Sequence, residues 1–250
     1  MKLSTKERQK EIMNYLITHE VATVGELAEL FAVTTETIRK DLTLLEDEKM
    51  IDKGHGTVKI AHTFYENPFD IKDTLLVNEK IKIGERAAKL VIDVQVIYID
   101  SSTTGIKLAK ILSIADLKDL TIITNSINVA KTLASSPHHV LVLGGEMRKR
   151  SQSIVGAWAI QAASTIKADI AFMGCDGFSA SGATNRTFPE IALKQEIIKN
   201  AKSVYMLADN SKFETETTYT FANYEDITGI ITDVEPSGLG NIPKNIEILY

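Results

Sequence analysis

The run Thr23-Val24-Gly25-Glu26-Leu27-Ala28-Glu29-Leu30-Phe31-Ala32-Val33-Thr34-Thr35-Glu36-Thr37-Ile38-Arg39-Lys40-Asp41-Leu42 holds two helix starts eleven residues apart. Thr23 with Glu26 fits a capping box, in which hydroxyl and carboxylate satisfy backbone N–H groups that lack an intrahelical acceptor. Leu27, Ala28, Leu30 and Phe31 then give a helix of about two turns. Thr34 supplies a second start, and Ile38, Leu42 and Leu45 fall on one face at four- and three-residue spacing. Only Ala32-Val33 separates the two, so the helices meet across a tight turn. That is a helix-turn-helix arrangement, whose second helix is shaped to enter a DNA major groove. Thr35, Glu36, Arg39 and Lys40 lie off the apolar face near the amino end of that helix. With Thr23, Thr34 and Thr37 they are candidate DNA contacts; a solvated i,i+4 ion pair between Glu36 and Lys40 is the plainer use of two of them.

Upstream, Ser4 with Glu7 fits another capping box, and Ile12, Met13, Leu16 and Ile17 form the apolar face of a first helix. Downstream, the period changes at Met50. Ile51, Lys53, Gly54-His55-Gly56, Val58 and Ile60 read as two short strands and a glycine-rich turn, a wing that adds Lys53 and His55 to the DNA-facing candidates. Residues 1–60 therefore read as a winged helix-turn-helix domain. Residues 61–77, with Asn67-Pro68 and no sustained period, read as a linker, and 78–250 as a second domain.

In that second domain, helical patterns alternate with short apolar runs: Val96–Ile99, Thr121–Thr124, Val140–Leu143, Asp169–Met173, Val204–Ala208 and Ile227–Ile231. Continuous β-branched runs between helices indicate an α/β fold with a mostly parallel sheet covered on both faces. Ligands of open α/β sheets bind beyond the carboxyl ends of the strands. The strings found there are Asp100-Ser101-Ser102-Thr103-Thr104-Gly105, Thr124-Asn125-Ser126, Gly144-Gly145-Glu146, Gly174-Cys175-Asp176-Gly177 and Asp209-Asn210-Ser211-Lys212. Any one could be ordinary turn chemistry. Five together predict a cleft. The first leads into a helix, whose backbone N–H groups and positive dipole end suit a phosphate, and Lys212 adds a point charge. Asp100, Ser101, Ser102, Thr103, Thr104, Thr124, Asn125, Ser126, Gly144, Gly145, Asp176 and Lys212 are the candidate ligand contacts. Neither a Walker A motif nor a G-x-G-x-x-G fingerprint is present, so a small phosphorylated polyol fits better than a nucleotide. His138-His139 read as surface residues, and neither a metal nor a cofactor is expected.

The chain has 250 residues, 44% hydrophobic and 24% charged, an ordinary globular mixture that excludes fibrous and disordered classes. A single cysteine, Cys175, excludes an intrachain disulfide and a cysteine-built zinc site, which fits a reducing cytoplasm. The start has no apolar leader, and no stretch is long enough to span a membrane. The balance of 28 Lys+Arg against 33 Asp+Glu argues against indiscriminate coating of nucleic acid. Residues 1–60 are themselves slightly acidic, with 9 Lys+Arg against 11 Asp+Glu.

Arg8-x3-Ile12-x3-Leu16, seventeen residues, then Thr34-x2-Thr37-Ile38-Arg39-Lys40-Asp41-Leu42 resembles the helix-turn-helix signature of the DeoR family of bacterial transcription regulators. Asn78-Glu79-Lys80, Asp100 to Thr104, Thr124-Asn125-Ser126, Gly144-Gly145-Glu146, Gly174 to Gly177 and Asp209 to Lys212 resemble the markers of that family's sensor domain. The resemblance implies a winged helix-turn-helix repressor whose sensor is similar in fold to ribose-phosphate isomerase and binds a phosphorylated sugar. Two positions depart from the family pattern: Lys53-Gly54-His55-Gly56-Thr57 stands where Arg-x-His-Gly-Gly is usual, and Ser102 stands where the phosphate loop usually has glycine.

The expectation is a cytoplasmic, non-enzymatic repressor of a sugar-utilisation operon. Its partners are double-stranded operator DNA, a phosphorylated sugar effector and further copies of itself, as a homodimer or homotetramer. Two readings compete. A sugar-phosphate isomerase would use Asp100 or Asp176 as base with Lys212 on the phosphate, and a winged helix that binds protein would account for the acidic amino-terminal segment.

Overall fold

The computed structural model describes the whole chain except residues 1–2, 20, 48–49, 55, 61–68, 93, 118–119, 214 and 236–241. The candidate contact His55 and the linker's Asn67-Pro68 lie outside the described residues. The fold has two compact units, Met1–Leu76 and Val77–Tyr250.

In the first unit, α1 (Thr5–His19) begins at the predicted box: Ser4 N donates to Glu7 Oε2 at 2.8 Å, and Glu7 N to Ser4 Oγ at 3.3 Å. After β1 (Val21–Thr23), α2 (Val24–Leu30) opens on the Thr23–Glu26 box, both halves of which are formed. The turn that follows holds Ala32 at φ +50, a left-handed conformation that a side chain disfavours. Next comes α3 (Thr35–Asp47), where Thr37 N donates to Thr34 Oγ1 at 3.2 Å. The wing strands β2 (Ile51–Lys53) and β3 (Thr57–Ile60) pair antiparallel. Ile12, Met13, Leu16, Leu27, Ile38, Leu42, Leu45 and Val58 are all buried in one cluster, so the predicted apolar faces meet.

Two elements here depart from expectation. The wing has three strands rather than two, in the order β1-β3-β2, because Val21–Thr23 pairs with Lys59–Thr57 and buries Ala22. The expected linker is helical over α4 (Phe69–Thr74), and Ile71 and Leu75 pack on the first unit's core. Ile71 and Leu75, four residues apart, give that segment a face to bury.

The second unit runs α5 (Val77–Ala88), β4 (Val96–Ile99), α6 (Thr103–Leu112), β5 (Thr121–Thr124), α7 (Ile127–Leu133), β6 (His139–Val142), β7 (Glu146–Arg148), β8 (Ser153–Val155), α8 (Ala157–Ser164), β9 (Ala168–Gly174), β10 (Gly177–Phe178), β11 (Gly182–Asn185), α9 (Ile191–Asn200), β12 (Ala201–Leu207), β13 (Tyr219–Asn223), β14 (Gly229–Ile231) and β15 (Glu247–Leu249). All six predicted runs are strands of one sheet, ordered β15-β14-β12-β9-β4-β5-β6, in which every pairing is parallel. β15, a seventh strand, was not anticipated. A smaller antiparallel sheet, β10-β11-β13, and the β7–β8 hairpin complete the unit. Helices α5 and α6 cross closely at Gly84, where a Cβ would stand 2.9 Å from Leu108 N. Among the described residues no helix is long and apolar enough to cross a membrane.

Candidate functional site

On α3, Thr35, Glu36, Arg39 and Lys40 are exposed and Thr37 is half-buried, opposite the buried Ile38, Leu42 and Leu45. The hydroxyls of Thr23 and Thr34 accept from backbone N–H groups at the starts of α2 and α3. No ion pair joins Glu36 to Lys40, contrary to the plainer reading, so both extend separately into solvent. Lys53, the wing candidate, is engaged within its own unit. Its Nζ lies 2.7 Å from Glu46 Oε2 and donates to Thr43 Oγ1 at 3.1 Å, and Thr43 in turn donates to Arg39 O at 2.9 Å. The wing is thereby braced against the helix that carries Arg39. The periodicity also gave no hint of a buried pair behind the helix: Arg8 on α1 donates through Nε to Asp41 Oδ2, and through Nη2 to Asp41 Oδ1 at 3.1 Å. The pair fixes α3 to α1 from the side facing away from the candidate contacts.

In the second unit, β12, β9, β4, β5 and β6 are consecutive in the sheet and parallel, so their carboxyl ends share one edge. The five predicted strings follow those ends. Several of their side chains knit the edge together. Asp100 Oδ1 accepts from Ser102 N at 2.9 Å, and Asp100 Oδ2 from Gly174 N at 2.9 Å, joining the loops after β4 and β9. Ser102 Oγ accepts from Gly105 N at 3.0 Å and caps α6; its Cβ stands 2.3 Å from where a Cβ on Gly174 would be. A residue larger than glycine at 174 is therefore incompatible with Ser102. Asn125 accepts from Tyr98 OH at 2.9 Å and exchanges bonds with Ile154, tying the loop after β5 to β8. Ser126 Oγ caps α7 through Val129 N, and Thr124 Oγ1 accepts from Ser126 N. Asp176 Oδ2 accepts from Arg186 N at 3.0 Å. Thr103 and Thr104 are buried in the first turn of α6, Ser101 is half-buried, and Gly144 and Gly145 are exposed.

The centre of this edge was missed from sequence. Lys194, on α9 and only 7% exposed, donates from Nζ to Asp100 Oδ2 at 3.0 Å and to Gly174 O at 2.6 Å, and lies 4.6 Å from the centre of the Phe221 ring. Glu190, also buried, accepts from Arg148 Nη1 at 2.8 Å and Ser153 Oγ at 2.7 Å, which pins the β7–β8 hairpin. Burial disfavours the Lys194 ammonium, but Asp100 and Glu190 together outweigh it and hold the pKa above the usual 10.5. Burial, reinforced by Asp100 and Glu190, raises the Tyr98 phenol well above its usual 10.0. Burial likewise opposes ionisation of Asp209, yet Lys212, the Ser211 hydroxyl and Lys80 bring its carboxyl below the usual 3.8. Lys212 sits 3.9 Å from Asp209 Oδ2 with its side chain about a third exposed. Part of Cys175 reaches the surface, but burial pushes its thiol up to about 12, which leaves it without thiolate character. His138 is buried rather than on the surface, with Nε2 2.7 Å from Leu112 O; His139 is exposed.

Two sequence profiles match these two units: the DeoR-like helix-turn-helix domain over residues 8–64 and the DeoR C terminal sensor domain over residues 76–234. The chain belongs to the DeoR family. This DeoR-family protein is a DNA-binding transcriptional regulator. It is 32% identical to the HTH-type transcriptional repressor GlcR of Bacillus subtilis, across 93% of this chain and 90% of that one. It is 26% identical to the glycerol-3-phosphate regulon repressor of Escherichia coli, across 92% and 91%. Ribose 5-phosphate isomerase A from Methanocaldococcus jannaschii superposes with a TM-score of 0.40 at 19% identity, over 54% of this chain and 53% of that one; membership rests on the sequence profiles and not on that likeness.

The regulator's strand-end edge divides by role. Asp100, Ser102, Thr124, Asn125, Ser126 and Asp176 are engaged in bonds that shape the loops. With Gly105 N–H taken by Ser102, the amide groups of Thr103 and Thr104 are the donors that the start of α6 presents without an intrahelical acceptor.

Proposed function

We propose that the regulator represses a sugar-utilisation operon and is relieved by a phosphorylated sugar at the carboxyl edge of its parallel sheet. The amino-terminal unit binds operator DNA through the exposed Thr35, Glu36, Arg39 and Lys40 face of α3, and the unit from Val77 onward senses the effector. It works in the cytoplasm as a homodimer or homotetramer, since two recognition helices are needed to span half-sites one helical turn apart. The observation that carries the effector reading is the start of α6, which opens at an edge shared by five parallel strands, with Lys212 on the loop after β12, two strands away on that edge. A helix amino terminus favours an anion by roughly 0.3–2 kcal/mol, and a lysine adds a mobile cation. That relatives are named repressors, one of them of a glycerol-3-phosphate regulon, supports both the sign of regulation and the class of effector.

The regulator turns over no sugar phosphate in this reading. Asp100, the foremost candidate base, is committed to Lys194 and two backbone amides, and a carboxylate so held is a scaffold rather than a proton acceptor. Titration calorimetry with pentose and hexose phosphates, run beside gel-shift titrations on operator DNA, tests the proposal. Thr103→Val and Lys212→Ala are each expected to weaken effector binding and leave effector-free operator binding intact. Unchanged effector affinity in both variants overturns the site. Turnover that disappears in Asp100→Asn overturns the non-enzymatic reading.

A further inference from the structure

The seven-stranded sheet ends in two edges, and they differ. β15, the shorter, carries Glu247, whose carboxylate accepts from Tyr205 OH at 3.3 Å. That carboxylate puts a charge on the strand, one of the ways a sheet edge is guarded. β6 has no Asp, Glu, Lys, Arg or Pro in His139-Val140-Leu141-Val142, the residues with which natural sheets guard an edge. Leu141 is 43% exposed and Val142 50%, and successive strand residues point to opposite faces, so both faces of β6 are wet. By contrast β9, at the sheet centre, is buried along nearly its whole length. His139 N and Leu143 N donate inward to Leu120 O and Thr124 O, which turns the N–H groups of Val140 and Val142 outward. Among the described residues no backbone group bonds to that outer side. The chain then leaves β6 through Gly144-Gly145 into β7, where Met147 is 49% exposed. The start of α8 packs beside this segment, since a Cβ on Gly145 would stand 3.4 Å from Ala159 Cβ, and it carries Trp158, 77% exposed.

We propose that β6 pairs antiparallel with β6 of a second copy of this chain about a two-fold axis, joining two sheets into one continuous sheet flanked by Met147 and Trp158. The occupant follows from self-complementarity. A register centred on Leu141 sets Val140 against Val142 of the other copy, each such pair exchanging both of its N–H···O bonds, and no like charges meet. Met147 and Trp158, now in water, are of the types enriched at interfaces. The inference rests on the reading of the regulator as an oligomer and adds the surface through which it assembles.

The test is the mass of the full chain by light scattering at micromolar concentration. The parent is expected at two or more copies of the 27.6 kDa chain. Leu141→Lys, which sets two ammonium groups face to face, and Val142→Pro, which removes only an outward N–H, should each halve that mass while circular dichroism retains the fold. Ile114→Lys, at an aliphatic residue 88% exposed off the sheet edge, should leave it unchanged. A parent mass of one chain overturns the proposal, as does a parent mass retained by Leu141→Lys; should Val142→Pro fail to fold, Leu141→Lys decides alone. Operator binding is measured on the same samples. A parent that assembles through β6 yet ignores DNA would defeat the operator reading and leave the interface standing, whereas a one-chain parent that binds the operator would do the reverse.

Discussion

Replacing Lys194 with methionine keeps most of the side chain's length and removes its charge. Lys194 and Asp100 are 7% and 3% exposed, so the change leaves a carboxylate buried without its cation. Removing one partner of a buried ion pair costs roughly 3–5 kcal/mol. Asp100 keeps the amides of Ser102 and Gly174, which places the loss near the lower end, about 3 kcal/mol, even though Gly174 O loses its donor. In a unit the size of Val77–Tyr250, each kcal/mol moves the midpoint by about 2–4 °C, so Tm should fall by about 6–12 °C. Calorimetric melting of the full chain reads this directly. The Asp100→Asn, Lys194→Met double variant should be about 1–3 kcal/mol more stable than the two single losses added together, since the second change no longer strands a charge. A Lys194→Met chain that melts within about 2 °C of the parent, or a double variant that is simply additive, would refute the claim that this pair locks the loops after β4 and β9. The sign with pH follows from the raised pKa of Lys194: its contribution is full below pH 10.5 and is lost only as pH rises through the higher folded value.

Asp209, held below its usual 3.8, lends stability that is full above that pH and is lost as pH falls through the lower folded value; Asp209→Asn should therefore flatten the acid limb of a pH series of melting midpoints. Arg39→Ala should cost about 1–3 kcal/mol of discrimination between operator and unrelated DNA, read as a competition ratio in gel shifts, and an unchanged ratio would move the recognition face elsewhere. Gly84→Ala should destabilise by about 1–3 kcal/mol, because its Cβ would stand 2.9 Å from backbone on α6, which outweighs the gain of up to about 1 kcal/mol in helix propensity; a more stable variant in urea titration would contradict the close crossing.

Local signals carried most of the architecture into view. The Ser4–Glu7 and Thr23–Glu26 boxes and the Thr34 cap are short-range chemistry, and each stands at the start of the helix it marks. The runs inside the sheet were legible because a strand buried on both faces has no polar alternation to conceal it, and the run that became the exposed edge strand β6 is just as apolar. What stayed hidden is mostly long-range or very short. β1 and β15 have three residues each, below the length at which a period shows. Arg8 and Asp41 are 33 positions apart, and Asp100 and Lys194 are 94 apart. A faint trace of the second pair exists: Lys194 sits three after Ile191 and four before Ile198, so a lysine interrupts the apolar stripe of its helix. In the cleft, residue types alone could not separate loop-shaping groups such as Ser102 from those left to meet a ligand, because capping and binding draw on the same hydroxyls.

The order of strands in the sheet also sets a timetable. β4 pairs on one side with β5, whose partners lie some 25 residues later, and on the other with β9, where Ile97 meets Ile170. At ribosomal rates of about 5–20 residues per second, that second edge of β4 waits on the order of 4–15 s after β4 is made. The amino-terminal unit, complete by Leu76, is already synthesised by then. A nascent chain thus emerges with its DNA-binding half able to fold while an apolar central strand, Val96-Ile97-Tyr98-Ile99, is still open along one side. That interval is when the protein is most exposed to misassembly, and slower translation between β6 and β9 would lengthen it.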